Sequence, residues 1–448
     1  MASNGWRDVH LRDVIKIKHG YPFKSEFFSE DLTGLPIVVG VGNFKYTGGF
    51  RFDSTTTKEY RGEYSKEYEL KSGDVLLVMT CQTAGGEILG IPGRIPHDGR
   101  IYLHNQRLGK VILNRPDLVH LDFLYWVFLW REFNQELVAS ASGTKIVHTA
   151  PSRIEAFKLL VPTLDEQRRI ACVLSALDDK IELNGQMNHT LEAMAQALFK
   201  SWFVDFDPVT AKAAGRAPFG MNAETAALFP STFEESDSGL IPTGWHFSTI
   251  GQAVTVVGGS TPSTKNDEYW EGGSNFWATP RDLSKLSSPV LIDTERKITD
   301  EGLKQISSGQ LPLGTVLLSS RAPVGYLAIA EVPVSINQGF IAMKCNDPLN
   351  SHYVLHWTRE NMDEVLSRAG GTTFAEISKS NFRPIPVLVP SQPILELYNE
   401  LASELHEKLV NNLRESETLT ALRDLLLPKL LSGEVRVGQA EEIVAEAV

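Results

Sequence analysis

The sequence predicts two α+β globular domains separated by two long coiled-coil helices, arranged as an internal repeat with pseudo-twofold symmetry. Three observations predict this fold class. The second half of the 448-residue chain repeats the first. Short β-type runs bounded by glycine and proline fill the start of each half, and heptads of apolar residues follow them. A repeat this long exceeds the period of a solenoid, so it indicates a duplicated domain pair.

The repeat is visible at four places along the chain. The matching pairs are Gly5-Trp6 with Gly244-Trp245, 71–80 (KSGDVLLVMT) with 311–321 (LPLGTVLLSSR), Asn105-Gln106 with Asn337-Gln338, and 142–162 with 370–390. From Gly143 onward the offset between the halves is a constant 228 residues, so that Pro162 matches Pro390. The equivalent segments are therefore expected to have the same structure.

The order of elements gives the predicted domain boundaries. The globular domains occupy 1–161 and 244–390, the helices 162–204 and 391–432, the linker 205–243 and an acidic tail 433–448, of which 439–448 is expected to be frayed. One amphipathic helix is expected in each globular domain, near 120–139 and 351–369. Thr163 and Glu166 form a capping box at the start of the first long helix, and Ser432-Gly433 is a typical end for the second.

The long helices have apolar seams with polar positions at matching places. Asn184 and Asn188 interrupt the first seam, and Asn412 interrupts the second at the position equivalent to Asn184. A buried asparagine weakens a coiled coil but fixes its register and partner. These three residues are therefore predicted to set the register. The alternative is two ordinary amphipathic helices that pack on separate cores.

The composition is that of an ordinary folded protein with an acidic balance. Apolar residues make up 42% and charged residues 22% of the chain, which predicts a hydrophobic core. The net charge of −12, taken alone, argues against nucleic-acid binding. The scattered cysteines form no C-x-x-C pair, which fits a reducing cytoplasm. The start of the chain has no apolar core of a signal peptide, and the apolar run 123–130 is too short to span a bilayer.

The sequence contains none of the common catalytic motifs. A phosphate loop, an H-E-x-x-H zinc motif, a G-x-S-x-G elbow and the Asn/Asp-Pro-Pro-aromatic tetrad of an amino-methyltransferase are absent from it. Asp178-Asp179-Lys180 faintly resembles a nuclease core, but it lies in a predicted helix and is interpreted as a solvated face. His19, His104 and His148 lack a matching carboxylate motif and are interpreted as structural or contact residues. The chain is predicted to be non-catalytic, with no metal or cofactor of its own.

Several stretches resemble the specificity subunits of type I DNA restriction–modification systems. Residues 160–184 (LVPTLDEQRRIACVLSALDDKIELN) are similar to a central conserved region of that family. Residues 191–209 and 211–245 resemble a subgroup, and 422–437 (LRDLLLPKLLSGEVRV) are similar to the family's C-terminal signature. The resemblance covers essentially the whole chain. One departure is the start of the second helix, PSQPILEL, which lacks the Glu166-Gln167 pair of the first.

The resemblance implies a DNA sequence-specificity subunit without an active site. In this family two target-recognition domains each recognise one half of a bipartite DNA target. The two helices pack antiparallel, set the spacer and dock two modification subunits, which methylate adenine N6. S-adenosylmethionine, ATP and Mg²⁺ are expected in the partner subunits, which include two restriction (translocase) subunits, in the cytoplasm. The alternative is a non-catalytic coiled-coil scaffold of a DNA-processing complex without its own sequence recognition.

The resemblance does not identify the DNA-contacting residues, because recognition domains diverge with their targets. Base edges and phosphates are contacted mostly by Arg, Lys, Asn, Gln, Ser and Thr. Such residues in the glycine-rich loops after corresponding strands are the candidates. They are Thr80, Gln82, Thr83, Arg94, Asn105, Gln106, Arg107, Lys145, His148 and Arg153 in the first domain, and Arg281, Arg321, Asn337, Gln338, Thr372, Thr373 and Lys379 in the second. The alternative is that Asn105-Gln106 and Asn337-Gln338 fix turns, and that the charged residues are merely solvated.

The acidity of the chain is confined to the helices, the linker and the tail. Residues 1–160 and 241–390 together have 32 basic and 32 acidic side chains, so the domains are neutral. The overall charge therefore does not exclude DNA binding. Since phosphate neutralisation supplies most non-specific affinity, neutral domains predict modest intrinsic affinity and a basic contribution from partner subunits.

Overall fold

The computed structural model describes residues 5–236, 239–345, 348–371 and 375–447. The chain divides into two compact units, Met1–Lys180 with Thr418–Val448, and Ile181–Glu417. Each unit holds one α+β domain and a segment of each of two long helices, as the predicted fold class requires. The candidates Thr372 and Thr373 lie outside the described residues. Within the described part of the chain, no helix combines the length and apolarity needed to cross a bilayer.

The first domain runs from Arg7 to Val161. Its elements are β1 (Arg7–His10), α1 (Leu11–Val14), β2 (Ile15–His19), β3 (Phe28–Ser29), β4 (Ile37–Val39), β5 (Lys58–Tyr60), β6 (Glu69–Leu70), β7 (Val75–Val78), β8 (Thr80–Cys81), β9 (Pro92–Arg94), β10 (Tyr102–His104), β11 (Leu108–Leu113), α2 (Leu121–Leu129), α3 (Arg131–Ser140), β12 (Val147–His148), α4 (Pro151–Glu155) and β13 (Lys158–Val161). An antiparallel sheet has the order β2-β11-β7-β9, and a mixed sheet the order β3-β5-β4-β10-β6. Side chains of β4, β7 and β10 and of the 88–95 segment form a hydrophobic core of this domain.

The first long helix and the linker follow. Their elements are α5 (Leu164–Phe203), α6 (Asp207–Ala213), α7 (Ala223–Leu228), β14 (Phe233–Ser236) and β15 (Gly239–Pro242). Trp202 and Phe203 near the end of α5 are buried in the core of the second unit, against residues such as Phe229 and Tyr398. The linker is thus a folded segment with two short helices and a hairpin.

The second domain repeats the first and leads into the second long helix. Its elements are β16 (His246–Thr249), α8 (Ile250–Ala253), β17 (Thr255–Val257), β18 (Asn275–Ala278), α9 (Pro280–Leu283), β19 (Val290–Leu291), β20 (Arg296–Ile298), α10 (Asp300–Leu303), β21 (Val316–Ser320), β22 (Val324–Ala330), β23 (Val334–Ile336), β24 (Phe340–Lys344), α11 (Ser351–Glu360), α12 (Met362–Ser367), α13 (Lys379–Phe382) and β25 (Pro386–Val389). Then come α14 (Gln392–Ser432) and α15 (Val437–Ala447). The sheets have the orders β17-β24-β21-β22-β19 and β20-β18-β23.

The internal repeat is confirmed by matched pairing in the two domains. Arg7 pairs with Val161 in β1–β13, and His246 pairs with Val389 in β16–β25. The strand order β2-β11-β7 of the first domain recurs as β17-β24-β21 in the second. Duplication of the sequence therefore produced duplication of the register, and not only of the element order.

Two expectations about helices were wrong. The predicted helix in each domain is interrupted, at Trp130 between α2 and α3 and at Asn361 between α11 and α12. Trp130 has an extended backbone, and the side chain of Asn361 donates to the carbonyl oxygen of Trp357. The end of the chain also differs from a frayed tail. It forms helix α15, which is held to α5 by an ion pair between Arg169 and Glu441.

The long helices run antiparallel where they meet inside the second unit. In the second unit Asn184 donates to Glu415 (2.8 Å), Asn412 donates to Asn188 (2.9 Å), and Phe199 lies against Tyr398 further along. The residue numbers of α14 at these contacts decrease as those of α5 increase, so the two helices run in opposite directions. In the first unit Asp178 of α5 pairs with Arg423 of α14 (2.7 Å).

Candidate nucleic-acid interface

Three loops of the first domain meet at one corner. The amide of Met79 donates to the carbonyl oxygen of Arg107 (2.9 Å), and the amide of Thr149 donates to that of Met79 (3.0 Å). These bonds join the end of β7, the turn before β11 and the residue after β12. Gly20, which follows β2, also lies close to the turn before β11. A Cβ at this position would overlap the carbonyl oxygen of Asn105, so the close approach requires glycine. We call the candidates that lie here the first corner: Thr80, Asn105, Gln106, Arg107 and His148.

The side chains of the first corner combine fixed and free groups. Thr80 is buried, and its hydroxyl lies 3.0 Å from Nδ1 of the exposed His148. The side chain of Asn105 accepts from the amide of Arg107 (3.0 Å), which fixes the turn as one alternative expected. Gln106 and Arg107 are exposed beside it. The corner therefore presents an imidazole, an amide and a guanidinium to solvent.

The other first-domain candidates are spread around this corner or lie away from it. Lys145 is exposed in the loop closed by pairing of Ser142 with His148, and Arg153 donates to the carbonyl oxygen of His148 (3.5 Å). Gln82 is exposed in the loop after β8. In the same loop the Thr83 hydroxyl donates to the Glu87 carboxylate and lowers its pKa.

Arg94 does not belong to the first corner. It pairs across the sheet with Val75, at the end of β7 opposite to Thr80. Its guanidinium forms an ion pair with Asp122 (2.6 Å) and lies over the ring of Tyr125. These contacts tie strand β9 to helix α2, so the structure gives Arg94 a packing role.

The second domain has an equivalent corner. The amide of Ser320 donates to the carbonyl oxygen of Gly339 (2.8 Å), and the amide of Ile377 donates to that of Ser320 (3.0 Å). A Cβ on Gly259 would overlap the carbonyl oxygen of Ile336, just as a Cβ on Gly20 would overlap that of Asn105. We call Ser320, Arg321, Asn337, Gln338 and Glu376 the second corner.

The second corner contains an ion pair where the first has a hydroxyl and an imidazole. Arg321 lies 3.8 Å from Glu376, and both side chains are substantially exposed, at 37% and 52%. The side chain of Asn337 accepts from the amide of Gly339 (2.9 Å), which repeats the turn at Asn105. Gln338 accepts from the hydroxyl of Thr261 (2.6 Å).

The two remaining described candidates of the second domain flank this corner. Lys379 starts helix α13, and its ammonium group lies beside Gly258. Arg281 follows Pro280, which lies against Gly339, and its side chain forms an ion pair with Glu295 (3.5 Å). Both side chains are exposed.

Glu376 was missing from the candidates inferred from the sequence. It stands 228 residues after His148, and the backbone pairing of Gly370 with Glu376 repeats that of Ser142 with His148. The constant offset of the repeat could have identified it. Glutamate is not among the residue types that contact base edges and phosphates most often, so composition alone does not indicate it.

His104 and Asp178 both have partners within the protein. His104 is buried and bonds through Nε2 to the carbonyl oxygen of Leu108 (2.9 Å), and burial lowers its pKa to about 4. Asp178 of the sequence Asp178-Asp179-Lys180 is used in the ion pair with Arg423. No group of three or more His, Cys, Asp or Glu residues that could hold a metal ion is found among the described residues. These side chains therefore stabilise the fold.

The two equivalent corners show that one chain carries two related domains, and the family comparison likewise matches the chain in two segments. The family described as "Type I restriction modification DNA specificity domain" matches residues 3–193 and 242–413. The type I restriction enzyme HindI specificity subunit of Haemophilus influenzae is 30% identical over 426 residues, which cover 85% of this chain and 90% of that protein.

A further relative covers part of the chain, and a solved structure with the same fold covers nearly all of it. The MjaIX specificity subunit of Methanocaldococcus jannaschii is 37% identical over 189 residues, 42% of this chain and 44% of that protein. The crystal structure of a type I restriction–modification S subunit from M. genitalium shares the fold, with a TM-score of 0.59 at 17% identity over 96% of this chain and 97% of that one. The chain belongs to the type I restriction–modification DNA specificity family and is a non-catalytic specificity subunit.

Proposed function

We propose that each domain of this specificity subunit recognises one half of a bipartite DNA target through its corner. The observation that supports this is the pair of corners itself. Both have the same backbone hydrogen bonds, the same glycine approach and the same asparagine turn, whereas the exposed side chains differ. A backbone arrangement shared by the two corners, with different exposed side chains, is what recognition of two different half-sites requires. Asparagine turns position the neighbouring donors.

Within this proposal the long helices determine the spacer and dock two modification subunits. The exposed face of α5 supports docking, because Leu183, Met187 and Met194 are 49%, 43% and 53% exposed at helical spacing. Apolar side chains on the outer face of a helix are typical of a surface that another helix covers. Asn184, Asn188 and Asn412 fix the register of the two helices, and so the distance between half-sites.

The chemistry of the complete complex is assigned to the partner subunits. S-adenosylmethionine would be held by the modification subunits, which methylate adenine N6. ATP and Mg²⁺ would serve two restriction subunits that translocate and cleave unmodified DNA. The assembled complex would act in the cytoplasm. The two domains together have as many acidic as basic side chains, which supports a division in which partners supply much of the phosphate-binding surface.

An exchange of the first domain tests this proposal. Residues 1–161 are replaced by the corresponding domain of a specificity subunit with another target, and the complex with the cognate modification subunit is assayed for methylation sites. We expect one half-site to change, while the other half-site and the spacer stay the same. A chain that still directs methylation to its original target would contradict the proposal. Equal loss of both half-sites in an assembled complex would also contradict it.

A further inference from the structure

We propose that Arg321 and Glu376 together recognise one G·C base pair in the major groove, and that His148 holds the equivalent place for the other half-site. This inference rests on the proposed function and assigns residues and a base pair to it. Its starting point is the replacement, at equivalent positions, of a hydroxyl–imidazole pair by a guanidinium–carboxylate pair. The two corners otherwise share their backbone contacts.

The ion pair is poorly suited to a structural role. Its nitrogen and oxygen are 3.8 Å apart, and the side chains are 37% and 52% exposed. A loose pair in water contributes little to stability, because solvent screens the attraction and two long side chains lose rotational freedom. The ion pair between Arg321 and Glu376 can therefore be replaced by contacts to a ligand at a low cost in free energy.

The backbone beneath the pair is held firmly. Arg321 and Glu376 are bridged across antiparallel segments, and Glu376 exchanges two backbone hydrogen bonds with Gly370 (2.8 and 2.9 Å). The next residue, Ile377, is buried and donates to Ser320. The two Cα positions are thus fixed while the charged ends are exposed to solvent, which is how recognition residues are presented.

The chemistry of the pair matches one base pair. In the major groove guanine offers the acceptors O6 and N7, which Arg contacts with two donors, and cytosine offers its N4 amino group, which a carboxylate accepts. A guanidinium and a carboxylate side by side are complementary to that edge. The carboxylate also disfavours an A·T pair read in the same orientation, because thymine presents the acceptor O4 there. His148, with Thr80 on its Nδ1, presents a different pattern of donors and acceptors.

The test determines the methylated motif of the chain assembled with its cognate modification subunit, for the wild type, Glu376→Gln and His148→Ala. We expect Glu376→Gln to change one G·C position of the second-domain half-site, with discrimination there reduced about tenfold or more. The first-domain half-site and the spacer stay as in the wild type. His148→Ala should alter only the other half-site. Lys304→Ala, which removes the exposed pair with Glu301 on the same domain, is the control and should leave the motif unchanged.

An unchanged motif in Glu376→Gln, beside a bipartite wild-type motif, would overturn this inference and leave the proposed function standing. A wild-type complex without a bipartite motif would overturn both. If Glu376→Gln lowers methylation at all sites, a second measurement distinguishes the two explanations. It compares binding of the assembled complex to duplexes that are substituted at each position in turn. Discrimination lost at one base pair supports the inference, and equal weakening on every duplex contradicts it.

Discussion

At the scale of single residues, a polar layer lies in the seam between the long helices. Asn184 and Asn188 are buried, and Asn412 donates to the side-chain oxygen of Asn188 (2.9 Å). We expect Asn412→Ala to lower the free energy of unfolding by about 1–3 kcal/mol, because it leaves a buried amide without its partner. Chemical denaturation of the purified chain measures this change.

The neighbouring asparagine supplies a matched control for that variant. Asn411 is exposed on the same helix, so Asn411→Ala is expected to change stability by less than about 0.5 kcal/mol. Equal effects of the two substitutions would show that the polar layer contributes nothing particular to the packing of the helices.

A buried histidine of the second unit makes stability depend on pH. His356 is stacked against Phe199, its Nδ1 has no hydrogen-bond partner among the described residues, and burial followed by the charge of Arg359 lowers its pKa to about 3. The folded state therefore keeps this ring neutral, whereas the unfolded chain binds a proton below about 6.5. Stability falls as the pH drops from 6.5 towards 3, by up to about 1.4 kcal/mol per pH unit for this group.

The variant His356→Phe removes that group while keeping a ring in the same place. Unfolding free energies measured from pH 7 to pH 4.5 should therefore decline less steeply for the variant than for the wild type. Parallel curves for the two proteins would contradict the assignment of His356 as a neutral, desolvated side chain.

At the scale of elements, the entry to the first long helix depends on one glutamine. Gln167 is fully buried, donates to the carbonyl oxygens of Leu118 (2.8 Å) and Pro162 (2.9 Å), and accepts from the amide of His120 (2.8 Å). We expect Gln167→Leu to cost about 2–5 kcal/mol, since three backbone groups, one of them in a buried hydrogen bond, lose their partner. Thermal or chemical unfolding of the variant measures this loss.

The equivalent position of the second helix is apolar. Leu395 stands 228 residues later and is buried in the apolar core of the second unit. Because an apolar side chain packs at this position, the second helix can begin without a Glu-Gln pair. Gln167→Glu, which keeps the size but replaces the amide donor, should destabilise the chain as Gln167→Leu does. A stable Gln167→Glu variant would show that shape and not hydrogen bonding matters here.

The long helices, the strand-like runs and the repeat could be predicted from the sequence because each depends on a local pattern. The interruptions at Trp130 and Asn361 could not, because the helical pattern of apolar residues continues across both positions. The corners could be predicted in part, since glycines and polar residues mark the loops. The role of Arg94 and the pairing of Glu376 with Arg321 depend on contacts between distant segments, which no local pattern contains.

At the scale of the whole molecule, the length of the helices is proposed to set the distance between half-sites. Insertion of one heptad after Asn184 and a matching heptad at Asn412 preserves the seam, because each apolar position returns to the same face. We expect the tolerated DNA spacer to lengthen while both half-sites stay the same. Methylation assays on duplexes with spacers of different lengths measure this. A changed half-site with an unchanged spacer would contradict the proposal.

The central claim is that one chain carries two different recognition surfaces for the two halves of one target. The most direct measurement is sequencing of the methylated genome of a host that expresses this chain with its cognate modification subunit. The account predicts one bipartite motif, with two different half-sites and a spacer of fixed length. Methylation at a single continuous site, or methylation that does not depend on this chain, would contradict it.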